Sequence, residues 1–248
     1  MDFIKSKHEV KMKKAIIIGA SSGIGMELAF HLDAQGYELG LTARRIKRLK
    51  EVSSKLANKT YIARMDISDT SNARKVLGDL LNSMGEVETI IINAGIGIQD
   101  PSWEDEQMII QTNAMGFASL AHYSFEHLKR QGKGSLVGIS SIASLRGGRI
   151  GTAYCASKAF MSNYLEGLRF RATKENLNIT VTEIIPGFVE TAMTEKLKYK
   201  FWVCTAKQAA SQIIASIQRR RQKAFVTRKW ILVAFLMKWM PDWLYGRV

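Results

Sequence analysis

A tyrosine and a lysine four residues apart, Tyr154 and Lys158 in Y-C-A-S-K, are the side chains best placed for acid–base chemistry in this chain. On a helix, residues at that spacing share a face. A phenol titrates near ~10 in water, and an adjacent ammonium stabilises the phenolate and lowers that value. Moving it towards neutrality takes about three units, or ~4 kcal/mol. A partly buried lysine, helped by a further cation nearby, can supply that. A tuned acid or base contributes ~10² to 10⁴ in rate. Such pairs recur by chance in many helices, so context decides. Ser140 and Ser141 end an apolar run, and Ser141 lies thirteen residues before Tyr154. Its hydroxyl can hold a substrate oxygen beside the phenol.

A second constellation suits phosphate. Gly19 to Gly25 reads G-A-S-S-G-I-G, directly after an apolar run and before a helical one. A dinucleotide pyrophosphate needs backbone N–H groups at a helix N-terminus and no Cβ in its way. Gly19, Gly23 and Gly25 are expected to give that clearance, with Ser21, Ser22 and Ile24 between them. The next strand ends T-A-R-R. Ala43 stands where an NAD-preferring site places an acid for the ribose hydroxyl, and Arg44 and Arg45 follow. Guanidinium groups bind phosphate through charge-assisted, often bidentate bonds. This predicts NADP(H).

The elements that must position these residues alternate. Strands are expected at Ala15–Ala20, Tyr37–Thr42, Thr60–Met65, Val87–Asn93, Ser135–Ser140, Ile179–Ile185 and Ala224–Thr227. Helices are expected at Gly23–Gln35, Ile46–Ala57, Ala73–Met84, about Trp103 to Arg130, Thr152–Lys174 and Ala206–Arg219. Near-continuous apolar strands between helices imply a parallel sheet covered on both faces. Right-handed crossovers make it a doubly wound, Rossmann-type α/β sheet of seven strands, with ligands at the C-terminal strand ends. One domain, residues 13–228, accounts for it. Residues 1–12 read as an N-terminal extension without the apolar run of a signal peptide, and 229–248 as an apolar and aromatic C-terminal segment.

Gly19–Gly25, Asn93-Ala94-Gly95, Asn113, Ser141, Tyr154/Lys158 and Pro186-Gly187 together resemble the ordered motifs of the short-chain dehydrogenase/reductase family. The similarity runs from about Lys13 to Val226. It implies that Tyr154 is the general acid in reduction and the base in oxidation. Lys158 would bind the nicotinamide ribose and lower the Tyr154 pKa, and Ser141 would orient the substrate oxygen. Asn113 would hold a water linking Lys158 to solvent. Asp66, followed by Ile67, would face the adenine. Asn93, Ala94 and Gly95 would border the cofactor. After Pro186 and Gly187, the backbone of Val189 and the hydroxyl of Thr191 would hold the carboxamide. Ile18 and Ile92 depart from residues common in the family without touching a catalytic role. The resemblance also implies a homodimer or homotetramer through the helices holding Asn113 and Tyr154.

The net charge of +14 suggests an anionic partner. No zinc-finger spacing or RNA-recognition signature accompanies it, so nucleic acid is not expected, and no residue set points to a metal. The 2 cysteines, Cys155 and Cys204, fit a reduced, cytoplasmic setting. Substrate choice is expected from Ser144–Gly151, with Arg146 and Arg149, and from Glu190–Val203. The latter carries Met193, Leu197, Tyr199, Phe201 and Trp202, either as an apolar lid or as core. A lid leans towards a lipophilic alcohol or ketone. A polar sugar or acyl-carrier substrate and a non-catalytic NADP-binding scaffold are the alternatives. The run from Trp230 ends at Lys238, short of the ~20 residues that span a bilayer. Its aromatics and flanking cations suit a membrane surface, with contact through 228–245. A subunit interface and a flap over the substrate pocket are the rivals.

Overall fold

Successive residues of a strand point to opposite faces, so an unbroken aliphatic strand must be covered twice. Strand β1 (Lys14–Ile18) behaves this way. Ala15 and Ile17 enter one core, with Leu28 and Leu32 of α1 (Gly23–Asp33). Ile16 and Ile18 enter the other, with Leu77 and Leu81 of α3 (Thr70–Met84). β2 (Glu38–Ala43), α2 (Ile46–Ser53), β3 (Thr60–Arg64) and β4 (Thr89–Ile92) complete the first half. The computed structural model describes residues 12–148, 151–195 and 200–245. The extension expected over residues 1–12 thus lies, Met12 apart, outside the described residues.

The second half holds α4 (Trp103–Ile110), α5 (Phe117–Gln131), β5 (Lys133–Ile139), α6 (Thr152–Lys174) and β6 (Asn178–Pro186). A two-residue parallel pair, β7 (Val189–Glu190) and β8 (Cys204–Thr205), follows. Then come α7 (Ala206–Gln218), β9 (Lys223–Val226), α8 (Trp230–Trp239) and α9 (Asp242–Tyr245). The main sheet has seven parallel strands in the order β3-β2-β1-β4-β5-β6-β9. The order reverses between β1 and β4, which opens a crevice at their C-terminal ends. Fold class and single-domain organisation agree with the sequence expectation. Each fully buried Ile, Leu or Phe of these two cores contributes roughly 1.5–3 kcal/mol.

One expected helix is in fact three segments. Between α4 and α5 the chain widens into a π-helical turn, Gln111–Gly116. A Cβ on Gly116 would sit 2.4 Å from the Ile67 carbonyl oxygen, so this turn lies against the connection between β3 and α3. The apolar spacing that continues on either side gave no sign of the interruption. Its effect is to swing Asn113, at its centre, into the sheet ends.

Candidate active site

The glycine turn is built by close backbone approach. Gly19 and Ala20 donate their N–H groups to the Thr42 carbonyl at 2.8 and 3.0 Å. Asn93 Nδ2 donates to the Gly19 carbonyl at 2.8 Å, tying β4 to the turn. A Cβ on Gly25 would lie 2.1 Å from the Gly19 oxygen and 2.6 Å from Asn93 Nδ2. Gly19, at φ +96°, faces the Ala94 backbone at 2.6 Å in the same sense. The clearance expected for a ligand at Gly19 and Gly25 is therefore occupied by the protein's own backbone. Gly25 does not line the cleft. Gly25→Ala should lower stability by about 3 kcal/mol, seen as a drop in the urea midpoint. Gly167→Ala in α6 is its control. That site has nothing within 4 Å, and the change should raise stability by about 0.5–1 kcal/mol.

The first turn of α1 remains open. Its N-cap, Ser22, makes no side-chain cap bond. The Ser22 hydroxyl instead accepts from Arg45 Nη2 at 2.8 Å, and Ser21 accepts from the same nitrogen at 3.2 Å. Burial, then the neighbouring charges of Arg48 and Arg44, lower the Arg45 pKa. Ala43 is 7% exposed and brings no acid to this end of the cleft. Asp66 also lines it, and its Oδ1 accepts from Ser68 N and Oγ at 3.1 and 2.7 Å.

At the other end of the cleft, α6 presents Tyr154 and Lys158 on one face. Lys158 Nζ lies 5.7 Å from the centroid of the Tyr154 ring and donates to the Ile139 carbonyl at 2.9 Å. Burial alone lowers the Lys158 pKa to about 8. Burial raises the Tyr154 phenol above its ordinary value, and the hydrogen bond from Ser141 offsets that in part. The lowering expected from Lys158 together with a nicotinamide cation is not supplied by the protein's own groups alone. Within the protein's own groups the amine is directed at a carbonyl, and desolvation dominates both side chains. Ser141 Oγ also accepts from Ala143 N at 3.2 Å, which fixes its direction. Ser140 instead bonds the Lys158 carbonyl and Ser162, locking β5 to α6.

Asn113 is 0% exposed and lies behind the cleft. Its Oδ1 accepts from Ile96 N at 2.8 Å, and its Nδ2 donates to Ile96 O at 2.7 Å and Ser157 Oγ at 3.1 Å. Both amide donors are thus committed to protein, so a bound water has no side-chain N–H to take from Asn113. Its observed role is to clamp the loop after β4 onto α6. A Cβ on Gly95 would lie 3.2 Å from Asn113 Oδ1 and 3.5 Å from Lys158 Nζ, so bulk there would crowd both. Gly97 packs the same way on Tyr154, at 3.2 Å from Cδ2. Ile96, Gly97, Ile139 and Ser157 escaped the sequence reading. Three of them act through backbone or through having no side chain, and Ser157 was hidden inside Y-C-A-S-K.

These groups line one cleft of about 390 Å³. It runs from Arg44, Arg45, Asp66 and Ile67, past Gly19, Ser21, Ser22, Gly23 and Ile24, to Ser141, Tyr154 and Lys158. Asn93, Ala94 and Gly95 form its floor with Pro186 and Gly187, and Val189 and Thr191 close the far wall. Thr194 Oγ1 donates to Val189 O at 2.6 Å and accepts from Thr191 N at 3.2 Å, which shapes that wall. Met193 also lines the cleft, near Gly97. Arg149, Leu197 and Tyr199 lie outside the described residues. Trp230, expected at a membrane surface, is instead 2% exposed. It covers Gly187 so closely that a Cβ there would meet it at 1.8 Å. Phe188, Phe201 and Trp202 ring it at 5.5, 4.9 and 6.3 Å between centroids.

A match to the short chain dehydrogenase family covers residues 13–201. The chain belongs to that family. An uncharacterized oxidoreductase of Mycobacterium tuberculosis is 31% identical over 250 residues, 96% of this chain and 98% of its own length. A hydroxysteroid 11-beta-dehydrogenase 1-like protein of Xenopus tropicalis is 26% identical, covering 95% and 87%. Among solved structures, a short-chain dehydrogenase/reductase of Burkholderia phymatum in complex with NAD aligns with a TM-score of 0.82. It is 21% identical, over 91% of this chain and 92% of that one. An alcohol dehydrogenase of Thermococcus sibiricus complexed with 5-hydroxy-NADP aligns at 0.77, with 23% identity over 87% and 96%. As a short-chain dehydrogenase the chain is an oxidoreductase, and its fold is one that holds nicotinamide dinucleotides.

Proposed function

We propose that the protein is an NADP(H)-dependent oxidoreductase acting on a carbonyl or secondary alcohol of a lipophilic molecule. The observation that carries the reading is the convergence of Tyr154, its Ser141 hydrogen bond and buried Lys158 at one end of a cleft whose other end is cationic. The cofactor, when bound, supplies the hydride. The cleft fits it: α1 offers an uncapped N-terminus to pyrophosphate, and Arg44 and Arg45 flank the site of a 2′-phosphate. Lys158 would meet the nicotinamide ribose, and Thr191 and the Val189 backbone the carboxamide. Ser141 would hold the substrate oxygen and Tyr154 would pass it a proton.

Support for NADP(H) over NAD is electrostatic. Two guanidinium groups, Arg44 and Arg45, line this end, and Ala43 brings no carboxylate. A hydrogen bond to a charged group contributes about 1.5–3 kcal/mol. Arg44→Gln should therefore lower kcat/KM for NADPH about 10- to 100-fold and leave that for NADH nearly unchanged. Steady-state rates with each cofactor check this. A wild-type preference for NADH would overturn the assignment.

The lipophilic reading rests on the rim. Ile96 and Met193 line the cleft with Tyr154, and Phe201 and Trp202 pack on Trp230 beside Gly187 of its floor. A carbonyl panel from sugars to long-chain and polycyclic ketones tests it, and a preference for polar sugars would reverse it. Copies are expected to pair through α4 and α6, where Met108, Ile110, Phe160 and Phe170 are exposed. The two buried free cysteines fit a reducing, cytoplasmic compartment.

A further inference from the structure

Helix α8 is apolar all round, yet only part of it is covered. Trp230 and Ala234 are buried. Ile231, Leu232, Phe235, Leu236 and Trp239 are 50–70% exposed. At 3.6 residues per turn these five occupy one arc of about 140°. Trp243 and Leu244 of α9 continue the apolar surface, at 67% and 39%. Contiguous exposed apolar surface of this kind marks an interaction face rather than chance. No helix among the described residues is long and apolar enough to cross a membrane.

Next to the start of α8 lies a second cavity of about 610 Å³. Arg219, Arg221, Arg228, Lys229 and Trp202 line it, and no acidic residue does among the described residues. Lys238 adds a cation near the other end of α8. Hydrophobic face and cationic rim are thus continuous.

The charge arrangement selects the occupant. A second copy docking symmetrically through α8 would set Arg228 and Lys229 of one copy against Lys238 of the other, and Asp242 at that end is already paired with Arg146. An anionic lipid surface complements both the apolar arc and the rim. We propose that α8 and α9 dock the protein on an anionic bilayer. The arc enters the boundary between headgroups and acyl chains, and the second cavity takes a lipid phosphate or carboxylate.

The same helix is fastened at Gly187 of the cleft floor and to Arg146 of the loop after β5. Trp230 covers Gly187 at one end. At the other, Arg146 Nη1 donates to Met237 O at 3.0 Å and Met240 O at 2.5 Å, and Arg146 pairs with Asp242 and lies 4.2 Å over the Tyr245 ring. Docking would therefore hold the Gly187 side of the cleft at a fixed position relative to the lipid surface. That last consequence rests on the proposed lipophilic substrate; the docking itself does not.

Co-sedimentation of the full chain with phosphatidylcholine vesicles, with and without phosphatidylserine, tests it without cofactor or substrate. Binding is expected only with phosphatidylserine, and high salt should weaken it. R228Q/K229Q should weaken it roughly 30-fold, at about fivefold per cation. L232D/F235D changes exposed positions only, so the urea midpoint should hold while vesicle binding is lost. Equal recovery of wild type in the supernatant with both vesicle types overturns the proposal. So does a fall in mass of L232D/F235D by analytical ultracentrifugation without vesicle binding by wild type, which would mean a second copy. Absence of reductase activity leaves the sedimentation result standing.

Discussion

Tyr154→Phe should abolish carbonyl reduction, lowering kcat by ~10² to 10⁴ while NADPH binding stays within about twofold. The phenol sits where the Ser141 hydroxyl meets it and where Gly97 leaves its ring room. Removing only the oxygen takes away the proton and little packing, so a loss of kcat without a rise in KM isolates the chemistry. The pH profile gives a second reading. Reduction needs the protonated phenol, and burial holds the Tyr154 pKa above its ordinary value. The acid form therefore persists through the neutral range and beyond it. A fall in rate near pH 8 would then report Lys158, whose pKa is about 8. Single-turnover NADPH oxidation followed across pH separates the two. Equal rates for wild type and Tyr154→Phe would remove Tyr154 from the chemistry.

Much of this site was legible because backbone-level requirements leave marks on residue type. Continuous aliphatic strands predicted a sheet buried on both faces, and T-A-R-R predicted the cationic end of the cleft. The Gly19–Gly25 turn was placed correctly, but for a partly different reason. Gly19 and Gly25 are small because the protein's own backbone fills the space, and sequence cannot say which neighbour forbids a Cβ. Asn113 was found while its partners were not, because Ile96 contributes only its main chain. The π-helical turn was invisible, since Gln111–Gly116 holds too few large apolar residues to show a change of period. Trp230 was left open between membrane surface, subunit interface and flap. Its type suits either an interface or a core, and only the glycine beneath it decides. Spacing shows that a lysine is near Tyr154 but not that its amine donates to the Ile139 carbonyl.

Lys158→Met should produce a more stable protein that no longer catalyses. In the folded state Lys158 is 5% exposed, and its pKa is about 8 against an ordinary 10.5. At ~1.4 kcal/mol per unit, keeping that charge buried costs roughly 3 kcal/mol wherever both states are protonated, that is below about pH 8. Met fills much of the same volume without a charge. It also leaves the Ile139 carbonyl without its donor, a loss of about 1–2 kcal/mol. The net expectation is a gain of about 1–2 kcal/mol at neutral pH, read by urea unfolding. Between about pH 8 and 10.5 the unfolded chain still holds this proton and the folded one does not, so wild-type stability rises with pH there. Lys158→Met should lack that rise, and its advantage should vanish by the top of the window. Activity should fall with the phenol intact, because the contact proposed between Lys158 and the cofactor ribose is lost. A cation kept in a dry site at such cost to folding is explained by what it binds. If Lys158→Met is less stable than wild type at neutral pH, then Lys158 is a structural donor to Ile139, and the strain attributed to its burial is wrong.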